Sequence, residues 1–404
     1  MKFTKEFFSN KRVLLLQGPV GPFFHRLKLD LEAQGSTVYK VNFNGGDWAF
    51  YPTQSINYRG HLDDMDAFFE RIYYELDIQM IVLLGDCRSQ HIIAQTVAKR
   101  HAIEVAVFEE GYIRPNFITL EHGGVNAYSI IPKTAEFYRA YIPSPVDKEI
   151  TIGKSFNHAA VWAMAYYLAC FFLHPFFHQY QHHRSLHLFE GLTWWRALGK
   201  KIYYKYTQRK LLGLLTGEMS NQYYLLPLQL NIDSQLHTHS RFDSIPEFIT
   251  YVMQSFAQHA PSDTSLVIKH HPLDRGYHDY TKCIKKLAAK LGVDKCVIYL
   301  HDQHLPSLLE HSRGVVLINS TVGMSALDHE KPLKACGEAI YNMEGLTYQG
   351  DLDDFWKDAE NLKVDEELFE RFKNYIVHQT QINGNFYKPV DAFKTHTGIN
   401  LFRE

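Results

Sequence analysis

Short apolar runs that alternate with amphipathic stretches constrain the fold of this chain more than any other feature. In the first 150 residues the apolar runs predict strands, and the stretches between them predict helices. Strands that are apolar along their whole length and alternate with helices are typical of a parallel sheet covered on both faces. The strands are expected at Val13–Gln17, Thr37–Phe43, Met80–Gly85 and Ile103–Phe108, and the helices at Phe23–Gln34, Leu62–Glu75 and Ser89–His101.

The same alternation returns after about residue 220. A chain of 404 residues exceeds what one hydrophobic core normally serves, and right-handed crossovers would wind each sheet doubly. The predicted fold class is therefore α/β, with two Rossmann-like doubly wound domains facing a central cleft. The second set of strands is expected at Tyr223–Leu228, Ser265–His270, Cys296–Leu300, Gly314–Ile318 and Pro332–Ala335, with helices at Ser244–His259, Tyr280–Leu291, Leu305–His311 and Val322–His329.

The segment between the two predicted domains is rich in aromatic residues. Its run Ala159–Phe177 is nearly long enough to span a bilayer, but His174 and Pro175 interrupt it. Aromatic and basic residues mixed at helical spacing suit a helix lying in a membrane interface. Three interpretations stay open, namely docking at a membrane interface, packing in the protein core, and a true span. The expected domain boundaries are 1–150, 151–218 for the helical segment, 219–350, and 351–404 for C-terminal helices.

Composition and charge disfavour several classes of protein. The chain is 46% hydrophobic and 21% charged, as in an ordinary globular enzyme, and its net charge of −2 does not favour nucleic acid as a partner. The five cysteines never stand in CxxC spacing, which argues against a zinc site and for a reducing compartment. The charged N-terminus MKFTKEFFSNKR lacks the apolar core of a signal peptide, so a cytosolic protein is expected.

Two adjacent carboxylates follow the fourth apolar run of the first domain. Glu109 and Glu110 stand in the stretch FEEGYIRPNF, with Gly111 directly behind them. Acidic pairs usually lie on solvated helix faces, so the position of this pair at a strand tip indicates a chemical role. Because successive side chains of a strand point in opposite directions, one of the two is expected to face a ligand.

A basic loop follows the second expected strand of the second domain. Open α/β sheets bind ligands at the carboxyl ends of their strands. In SLVIKHHPLDRG, the side chains of Lys269, His270 and His271 can donate hydrogen bonds to an anion, and Pro272 ends the strand. A plain turn at His271-Pro272 is the alternative interpretation of this sequence.

A second loop of the same domain carries hydroxyl groups. Asn319 ends an expected strand, Ser320 can cap the helix that follows, and Thr321 lies in its first turn. Such a helix start is favourable for phosphate, although a plain N-cap is the alternative. The loop after the first strand of this domain adds polar side chains that can either bind a ligand or simply meet water: Gln229, Asp233 and Gln235.

The first domain carries glycine-rich loops at equivalent strand tips. VLLLQGPVGPFF is neither GxGxxG nor a P-loop, since no GK[ST] follows. Its rigid Gly-Pro turns nevertheless suit close approach of a ligand to the backbone. NFNGGDW and GDCRSQH follow the next strands. Residues of these loops are expected to contact an acceptor, although each alone is more often structural: Gln17, Gly18, Gly21, Asn44, Asp47, Asp86 and Arg88.

Taken together, these motifs resemble those of KpsS-type capsule-polysaccharide transferases, which are β-Kdo transferases. The resemblance is carried by RVLLLQGPVGPFF, NFNGGDW, FEEGYIRP, KHHP and NSTVGMSAL…KPLKACGEAIY…GLTYQG, in this order along both predicted domains. The combination is specific, although each motif alone is not. It implies a GT-B-like pair of domains, CMP-Kdo as donor, and a phosphatidylglycerol or lyso-phosphatidylglycerol head group at the inner leaflet as acceptor.

The resemblance also implies a retaining reaction with a carboxylate nucleophile. Related Kdo transferases carry Glu-Asp-Gly at this place, and their nucleophilic aspartate corresponds by position to Glu110. The extra methylene changes the reach of the carboxylate, so Glu110, Glu109 or neither stay open as the nucleophile. Arg114 is expected to pair either with the Kdo carboxylate or with one of the two glutamates.

In the second domain the resemblance implies that His271, Ser320 and Thr321 contact the CMP phosphate. No cofactor is expected, and the reaction is expected to need no metal. The expected location is the cytoplasmic face of the inner membrane, with other capsule biosynthesis and export proteins as partners. Two alternatives are a transferase that uses another nucleotide sugar and a non-catalytic scaffold of the capsule assembly machinery.

Overall fold

The computed structural model describes residues 5–146, 148–181, 190–231, 236 and 239–402. The chain forms two compact units. Unit 1 comprises Met1–Ile130, Pro143–Leu188 and Asn374–Glu404, and unit 2 comprises Ile131–Ile142 and Phe189–Lys373. This division differs from the expected boundaries, because the aromatic segment is split between the units and the C-terminal residues return to unit 1, where they add a strand to its sheet.

The strands of the described residues form two sheets. They are β1 (Arg12–Leu15), β2 (Thr37–Asn42), β3 (Ile56–Asn57), β4 (Met80–Leu84), β5 (Glu104–Glu110), β6 (Phe117–His122), β7 (Tyr223–Pro227), β8 (Ser265–Lys269), β9 (Val297–Leu300), β10 (Gly314–Leu317), β11 (Leu333–Ala335) and β12 (Gln381–Asn383). The sheet of unit 1 has the order β12-β6-β5-β4-β1-β2-β3, and the sheet of unit 2 has the order β11-β10-β7-β8-β9.

The helices of the described residues connect and cover these strands. They are α1 (Lys5–Phe8), α2 (Phe23–Glu32), α3 (Gly45–Phe50), α4 (Met65–Glu75), α5 (Ser89–Arg100), α6 (Ala135–Ala140), α7 (Phe156–Phe172), α8 (Glu190–Thr207), α9 (Leu211–Thr216), α10 (Ile245–His259), α11 (Thr281–Leu291), α12 (Leu305–Glu310), α13 (Val322–Asp328), α14 (Leu352–Asp358) and α15 (Glu366–Gln379). Short 3₁₀ turns occur at Leu62–Asp64, Asn126–Tyr128, His174–Phe176, Pro272–Asp274, Ala359–Asn361 and Asp391–Phe393.

Alternate side chains of the unit 1 strands enter two separate hydrophobic cores, one on each face of the sheet. On one face, Val13, Val82 and Phe108 pack with α2 and with residues of the C-terminal segment. On the other face, Leu14 and Ile81 pack with α4 and α5. These strands are therefore buried on both sides, which explains why their sequences are apolar throughout.

Unit 2 is built in the same way from five parallel strands. Tyr224, Leu226 and Ile268 pack with α10, α11 and α14 in one core. Leu225 and Val267, which point to the opposite face, are also fully buried. The predicted α/β class with doubly wound sheets is confirmed in both units.

Each sheet has one point at which the strand order reverses. In unit 1 the chain runs outward from β1 to β2 and β3, and then crosses to the other side of β1 to form β4 and β5. In unit 2 it runs from β7 to β8 and β9, and then crosses to form β10 and β11. Open α/β sheets bind ligands at this switch point, outside the carboxyl ends of the strands. The switch points therefore lie after β1 and β4 in unit 1, and after β7 and β10 in unit 2.

The expected strands and helices lie within a few residues of the observed ones, and β3, β6 and β12 are strands that were not expected. The expected parallel sheet of unit 1 has an antiparallel edge, because β6 pairs antiparallel with both β5 and β12. Pairing with β6 extends β5 to Glu110, beyond the expected end at Phe108. The loop NFNGGDW forms α3, which Asn44 caps by accepting a hydrogen bond from the Asp47 N–H.

The aromatic segment forms helices with one buried and one exposed side. In α7, Tyr166 and Cys170 are buried, and the ring of Tyr166 lies against Gly46 of α3. The other side of α7 is apolar and exposed, with Val161, Met164, Leu168 and Phe172. The interpretation that this segment packs in the protein core therefore applies to only one face of α7. Within the described ranges, no helix combines the length and the apolar character that crossing a membrane requires.

Candidate functional site

The two carboxylates are the last residues of β5, and the chain turns immediately after them. A Cβ on Gly111 would lie 2.1 Å from the carbonyl oxygen of Phe117, so glycine is required at this close approach. The turn therefore fixes the end of β5, and with it the positions of Glu109 and Glu110.

The two carboxylates have different surroundings. Glu110 Oε1 accepts a hydrogen bond from the Tyr387 hydroxyl at 3.0 Å. Glu109 Oε1 accepts one from the main-chain N–H of Glu110 at 2.9 Å, and its Oε2 would lie 3.5 Å from a Cβ on Gly85, at the end of β4. Both side chains are half-buried. Glu110 thus lies against the C-terminal segment, whereas Glu109 lies beside the turn after β4.

Tyr387 and Arg114 complete the surroundings of Glu110. Burial raises the pKa of Tyr387 well above its usual value, and the charges of Glu110 and Glu109 raise it further, while Arg114 acts in the opposite direction. The phenol is therefore neutral at physiological pH. Arg114 donates its Nε–H to the carbonyl oxygen of Gly111 at 3.3 Å, which places the guanidinium at the same turn. Its expected pairing with a sugar carboxylate or a glutamate stays a prediction.

Gln17 is the centre of a buried polar network at the switch point of unit 1. Its side chain is 1% exposed. The amide nitrogen lies 3.1 to 3.3 Å from oxygen atoms of Asp47, Tyr166 and Tyr180. The amide oxygen accepts hydrogen bonds of 2.7 Å from Arg88 and from Gln90. Every polar group of this side chain is engaged within unit 1.

Asp47 and Asn44 belong to the same network. Asp47 accepts a hydrogen bond from the Phe43 N–H at 3.0 Å, and Asn44 donates its Nδ2–H to Tyr166 at 2.8 Å. Burial lowers the pKa of the nearby Lys40 to about 8, and the negative charge of Asp47 opposes that shift. Asp47 therefore has two structural tasks, accepting several hydrogen bonds and compensating a buried cation.

Asp86 is also engaged inside unit 1. It is 2% exposed, and its Oδ2 accepts a hydrogen bond from the Val125 N–H at 2.8 Å.

The two glycines after β1 are required by the local packing and backbone conformation. A Cβ on Gly18 would lie 2.7 Å from the ring of Phe24, and Gly21 has a positive φ of 106°. The residues expected to contact an acceptor thus also support this edge of unit 1, and their contact with an acceptor stays a prediction.

A pocket opens beside the Gln17 network. It encloses about 410 Å³ of empty space, including its mouth, and the residues that line it carry no charge. Apolar and aromatic side chains form part of the wall, and amide and hydroxyl groups form the rest, among them Phe43, Tyr58, Met65, Ser89, Gln90 and Tyr180. Gln90 and Tyr180 also belong to the Gln17 network. This pocket offers room for a small neutral group at the edge of unit 1.

Lys269 and His270 end β8 in the interior of unit 2. Both are nearly fully buried. Burial lowers the pKa of Lys269, against the opposing charge of Asp302, and burial lowers the pKa of His270 to about 4. His270 Nδ1 lies 2.7 Å from the Tyr299 hydroxyl, and its Nε2 has no hydrogen-bond partner in the part of the chain that the structure describes. This neutral imidazole can form one more hydrogen bond.

His271 and Pro272 begin the 3₁₀ turn after β8. His271 is half-buried, and its Nδ1 accepts a hydrogen bond from the Leu273 N–H at 3.2 Å. Pro272 is exposed. The expected alternative of a plain turn therefore describes the backbone here, while the half-exposed imidazole can still contact a ligand.

Gln229 and Asn319 join the two strands at the switch point of unit 2. Gln229 Nε2 donates to Asn319 Oδ1 at 2.9 Å, and the Asn319 N–H donates to Gln229 Oε1 at 3.2 Å. Ser320 Oγ accepts a hydrogen bond from the Val322 N–H at 3.2 Å, and Ser320 and Thr321 are both half-buried. The expected residues Asp233 and Gln235 lie outside the described residues.

Sequence reasoning missed several residues of these sites. Tyr387 contacts Glu110 across 277 positions of the chain, and Tyr166 and Tyr180 reach Gln17 across 149 and 163 positions. No local pattern marks these tyrosines, because each is placed by the packing of a remote segment.

Comparison with known proteins places the chain in a family. Residues 79–387 match the family described as capsule polysaccharide biosynthesis protein. The chain belongs to this family. It is 42% identical over 382 residues to the capsule polysaccharide export protein KpsS of Escherichia coli, covering 94% of this chain and 97% of that protein. It is 38% identical over 391 residues to the capsule polysaccharide modification protein LipB of Neisseria meningitidis serogroup B, covering 95% and 93%. The resemblance drawn from the motifs is thereby confirmed at the level of the family.

Two solved structures are similar over most of the chain. The first is the KpsC β-Kdo 2,4 transferase of Thermosulfurimonas dismutans, with a TM-score of 0.40, 13% identity and 90% of each chain covered. The second is a glycosyltransferase of Rickettsia africae, with a TM-score of 0.38, 11% identity and coverage of 92% and 95%. Both scores are low, so the description of the fold rests on the strand order given above.

Proposed function

We propose that this member of the capsule polysaccharide biosynthesis family is a retaining β-Kdo glycosyltransferase. It would move Kdo, an eight-carbon acidic sugar, from CMP-Kdo to the glycerol head group of phosphatidylglycerol or its lyso form. The observation that carries the proposal is the Glu110 carboxylate, which is half-buried at the end of β5 and held by Tyr387 and the Gly111 turn. Family membership and the polar switch point of unit 2 support it.

In the first step, Glu110 acts as the nucleophile. One carboxylate oxygen forms a bond to the anomeric carbon of Kdo, while the bond from that carbon to the phosphate oxygen of CMP breaks. The electron pair of the broken bond leaves with CMP, whose phosphate gains negative charge. The product of this step is a glycosyl ester of Glu110.

In the second step, a hydroxyl group of the acceptor attacks the same carbon. The bond to Glu110 breaks, its electron pair returns to the carboxylate, and the hydroxyl proton passes to a carboxylate or phosphate oxygen that acts as general base. Two successive inversions give net retention, so a β-linked donor gives a β-linked product.

We assign the CMP part of the donor to the carboxyl edge of the unit 2 sheet. The half-buried hydroxyl groups of Ser320 and Thr321 and the imidazole of His271 can donate hydrogen bonds to its phosphate. Such donors stabilise the charge that the leaving group acquires, which is the electrostatic part of catalysis.

The lipid acceptor requires contact with a membrane, and α8 has the chemistry for it. Its exposed apolar and aromatic side chains include Trp195, Leu198, Ile202 and Tyr206. Exposed cations lie on the same helix and just after it, namely Arg196, Lys201, Lys205, Arg209 and Lys210. Aromatic side chains beside cations favour the interface of a membrane that contains anionic lipids. We therefore assign α8 to an anionic phospholipid surface.

Mass spectrometry of the lipid product tests the reaction. The purified full-length protein is incubated with CMP-Kdo and phosphatidylglycerol, and formation of CMP and of a Kdo-lipid is expected. CMP-sialic acid and a UDP-sugar serve as competing donors. Transfer from one of these instead would favour another nucleotide-sugar transferase, whereas no CMP release from any donor would favour a scaffold.

Flotation with vesicles tests the membrane assignment. The wild type is expected to bind vesicles containing phosphatidylglycerol more strongly than neutral vesicles. Lys201→Glu with Lys205→Glu should weaken that binding, because each charge near an anionic surface contributes about 1 kcal/mol. The matched control is Lys282→Glu with Lys286→Glu, which makes the same charge change at the same spacing on α11. Equal effects of the two pairs would contradict the assignment.

A further inference from the structure

We propose that Tyr387 is the positioning residue of the Glu110 nucleophile, holding Oε1 through its hydroxyl so that Oε2 is presented to the anomeric carbon. The inference rests on the proposed function and adds to it a residue that lies in the C-terminal segment, far from the motifs of the first domain.

The hydrogen bonds of Glu110 distinguish its two carboxylate oxygens. Its N–H donates to Glu109 Oε1 at 2.9 Å, and its carbonyl oxygen accepts from the Thr119 hydroxyl at 3.1 Å. Its Oε1 accepts from Tyr387 at 3.0 Å. Within the described ranges, Oε2 is the polar atom of Glu110 side chain that has no hydrogen-bond partner. The side chain therefore has one held oxygen and one oxygen available for reaction.

The position of Tyr387 is fixed by the core of unit 1. Its neighbour Phe386 is 1% exposed and packs edge-on against Phe23 and Phe108, with ring centroids 5.0 and 6.0 Å apart. Phe108 precedes Glu110 by two positions on β5, so the two side chains point to the same face of the sheet. The same aromatic cluster thus anchors both the strand that carries Glu110 and the segment that carries Tyr387.

Two hydrogen bonds hold the main chain of Tyr387. Its N–H donates to the side chain of Asn385 at 2.8 Å, and its carbonyl oxygen accepts from the indole N–H of Trp162 at 3.1 Å. With the main chain held on both sides and the side chain partly buried against the core of unit 1, the hydroxyl has little freedom to leave Glu110. Preorganisation of this kind is what a reacting carboxylate requires.

The electrostatics of the site keep Tyr387 a donor. The charged groups that act on it are Glu110 and Glu109 from β5 and Arg114 from the following turn. Burial and the two carboxylates favour the neutral phenol, and the guanidinium opposes them. A neutral phenol that donates to a carboxylate favours its ionised form, which is the nucleophile. Loss of the hydroxyl would therefore leave Oε1 of Glu110 without its donor.

Tyr387→Phe tests the inference, with Tyr74→Phe as the matched control, since Tyr74 is 86% exposed on α4. Turnover of CMP-Kdo by Tyr387→Phe is expected to fall about tenfold with the KM for CMP-Kdo unchanged, because the hydroxyl positions the nucleophile and takes no part in donor binding. The control should leave both quantities unchanged. A folded Tyr387→Phe with wild-type turnover would overturn the inference.

Carbon-13 NMR of labelled glutamate provides a readout that needs no turnover. Glu110→Gln assigns the Glu110 signal, and the carboxyl chemical shift at one fixed pH should differ between Tyr387→Phe and the wild type, because the carboxylate loses a hydrogen bond. Asn385→Ala, which keeps the hydroxyl but loosens its anchor, should give a smaller change in the same direction. If the chemical shift changes but no CMP-Kdo is consumed by the wild type, the contact stands and the proposed function fails. If Glu110→Gln is inactive and the chemical shift does not change in Tyr387→Phe, only the role of Tyr387 fails.

Discussion

The carboxyl edges of the two sheets carry similar sequence signals and have different structures. In unit 1, polar residues that follow β1 and β2, such as Gln17 and Asp47, are buried and bonded to one another and to Tyr166. In unit 2, Ser320 and Thr321 after β10 are half-buried, and Ser320 Oγ accepts a hydrogen bond from the nearby Val322 N–H. A polar residue after an apolar strand can therefore either support the fold or stay accessible to a ligand. Whether remote segments bury its side chain decides between these two outcomes.

Glu110 stands apart from the framework of unit 1. It lies on the same sheet as Gln17, but it is half-buried and has one carboxylate oxygen without a partner in the described part of the chain. We accordingly place the chemistry of unit 1 at Glu110 and its structural support at the Gln17 network.

The largest expected effect is that of Glu110→Gln. Removal of the nucleophile should lower turnover of CMP-Kdo roughly 10⁴-fold, while calorimetric CMP affinity stays at the wild-type value, because CMP is assigned to unit 2. Glu75→Gln, an exposed change on α4, is the matched control. Turnover within a factor of about ten of the wild type would remove Glu110 from the mechanism.

The next effect is on stability. Asp47→Asn should lower the free energy of unfolding by about 3 kcal/mol, because the buried Lys40 loses its compensating charge and Gln17 and Tyr166 lose an ionised acceptor. Denaturant unfolding measures it, with the exposed Asp63→Asn as the control. A variant as stable as the control, but with a raised KM for the lipid acceptor, would show that Asp47 is a ligand contact after all.

His271→Ala should show the opposite pattern from Asp47→Asn, with a loss of ligand affinity and little change in stability. We expect calorimetric CMP affinity to fall about tenfold, with the unfolding free energy changed by about 1 kcal/mol, since its Nδ1 caps a short turn. His304→Ala, an exposed change elsewhere in unit 2, should alter neither quantity. Wild-type affinity in His271→Ala would remove this imidazole from the phosphate site.

The smallest expected effect concerns a carboxyl group on β6. Burial raises the pKa of Glu121 from 4.5 to about 7, against hydrogen bonds from Ser129 and Tyr112 that lower it. The folded state then binds an additional proton between these pH values, so stability falls as pH rises through this window. Glu121→Gln should flatten that decline between about pH 5 and 8. Equal slopes in urea unfolding of the variant and the wild type would contradict the shift.

The sequence predicted the parts of the fold that depend on local pattern. Strands such as β4 and β8 were located because they are apolar runs closed by Gly85 and Pro272. The antiparallel β6 was missed because no helix separates it from β5 to mark it as the next strand. The edge strand β12 was missed because its three residues, Gln381–Asn383, are too few to show an apolar run. The predicted α/β class of both sheets was nevertheless correct, since a strand that is buried on both faces has a sequence that is apolar along its length.

The candidate site was also predictable only in part, because several of its contacts involve segments that are remote in the sequence. The strand-tip position of Glu110 follows from its neighbours in sequence, as does the requirement for Gly111 behind it. The hydroxyl of Tyr387 and the burial of Gln17 depend on segments more than a hundred residues away, and no local pattern encodes such contacts. The difference between the buried Gln17 network and the half-buried carboxylate of Glu110 could therefore be recognised only from the structure.

The most direct test of the account is to trap the glycosyl ester. The protein is incubated with CMP-Kdo in the absence of any lipid acceptor, quenched with acid, digested and analysed by tandem mass spectrometry. We predict one Kdo residue attached to the peptide that contains Glu110, with release of CMP. Release of CMP with the adduct on any other residue, or with no adduct at any time of quenching, would contradict the central claim.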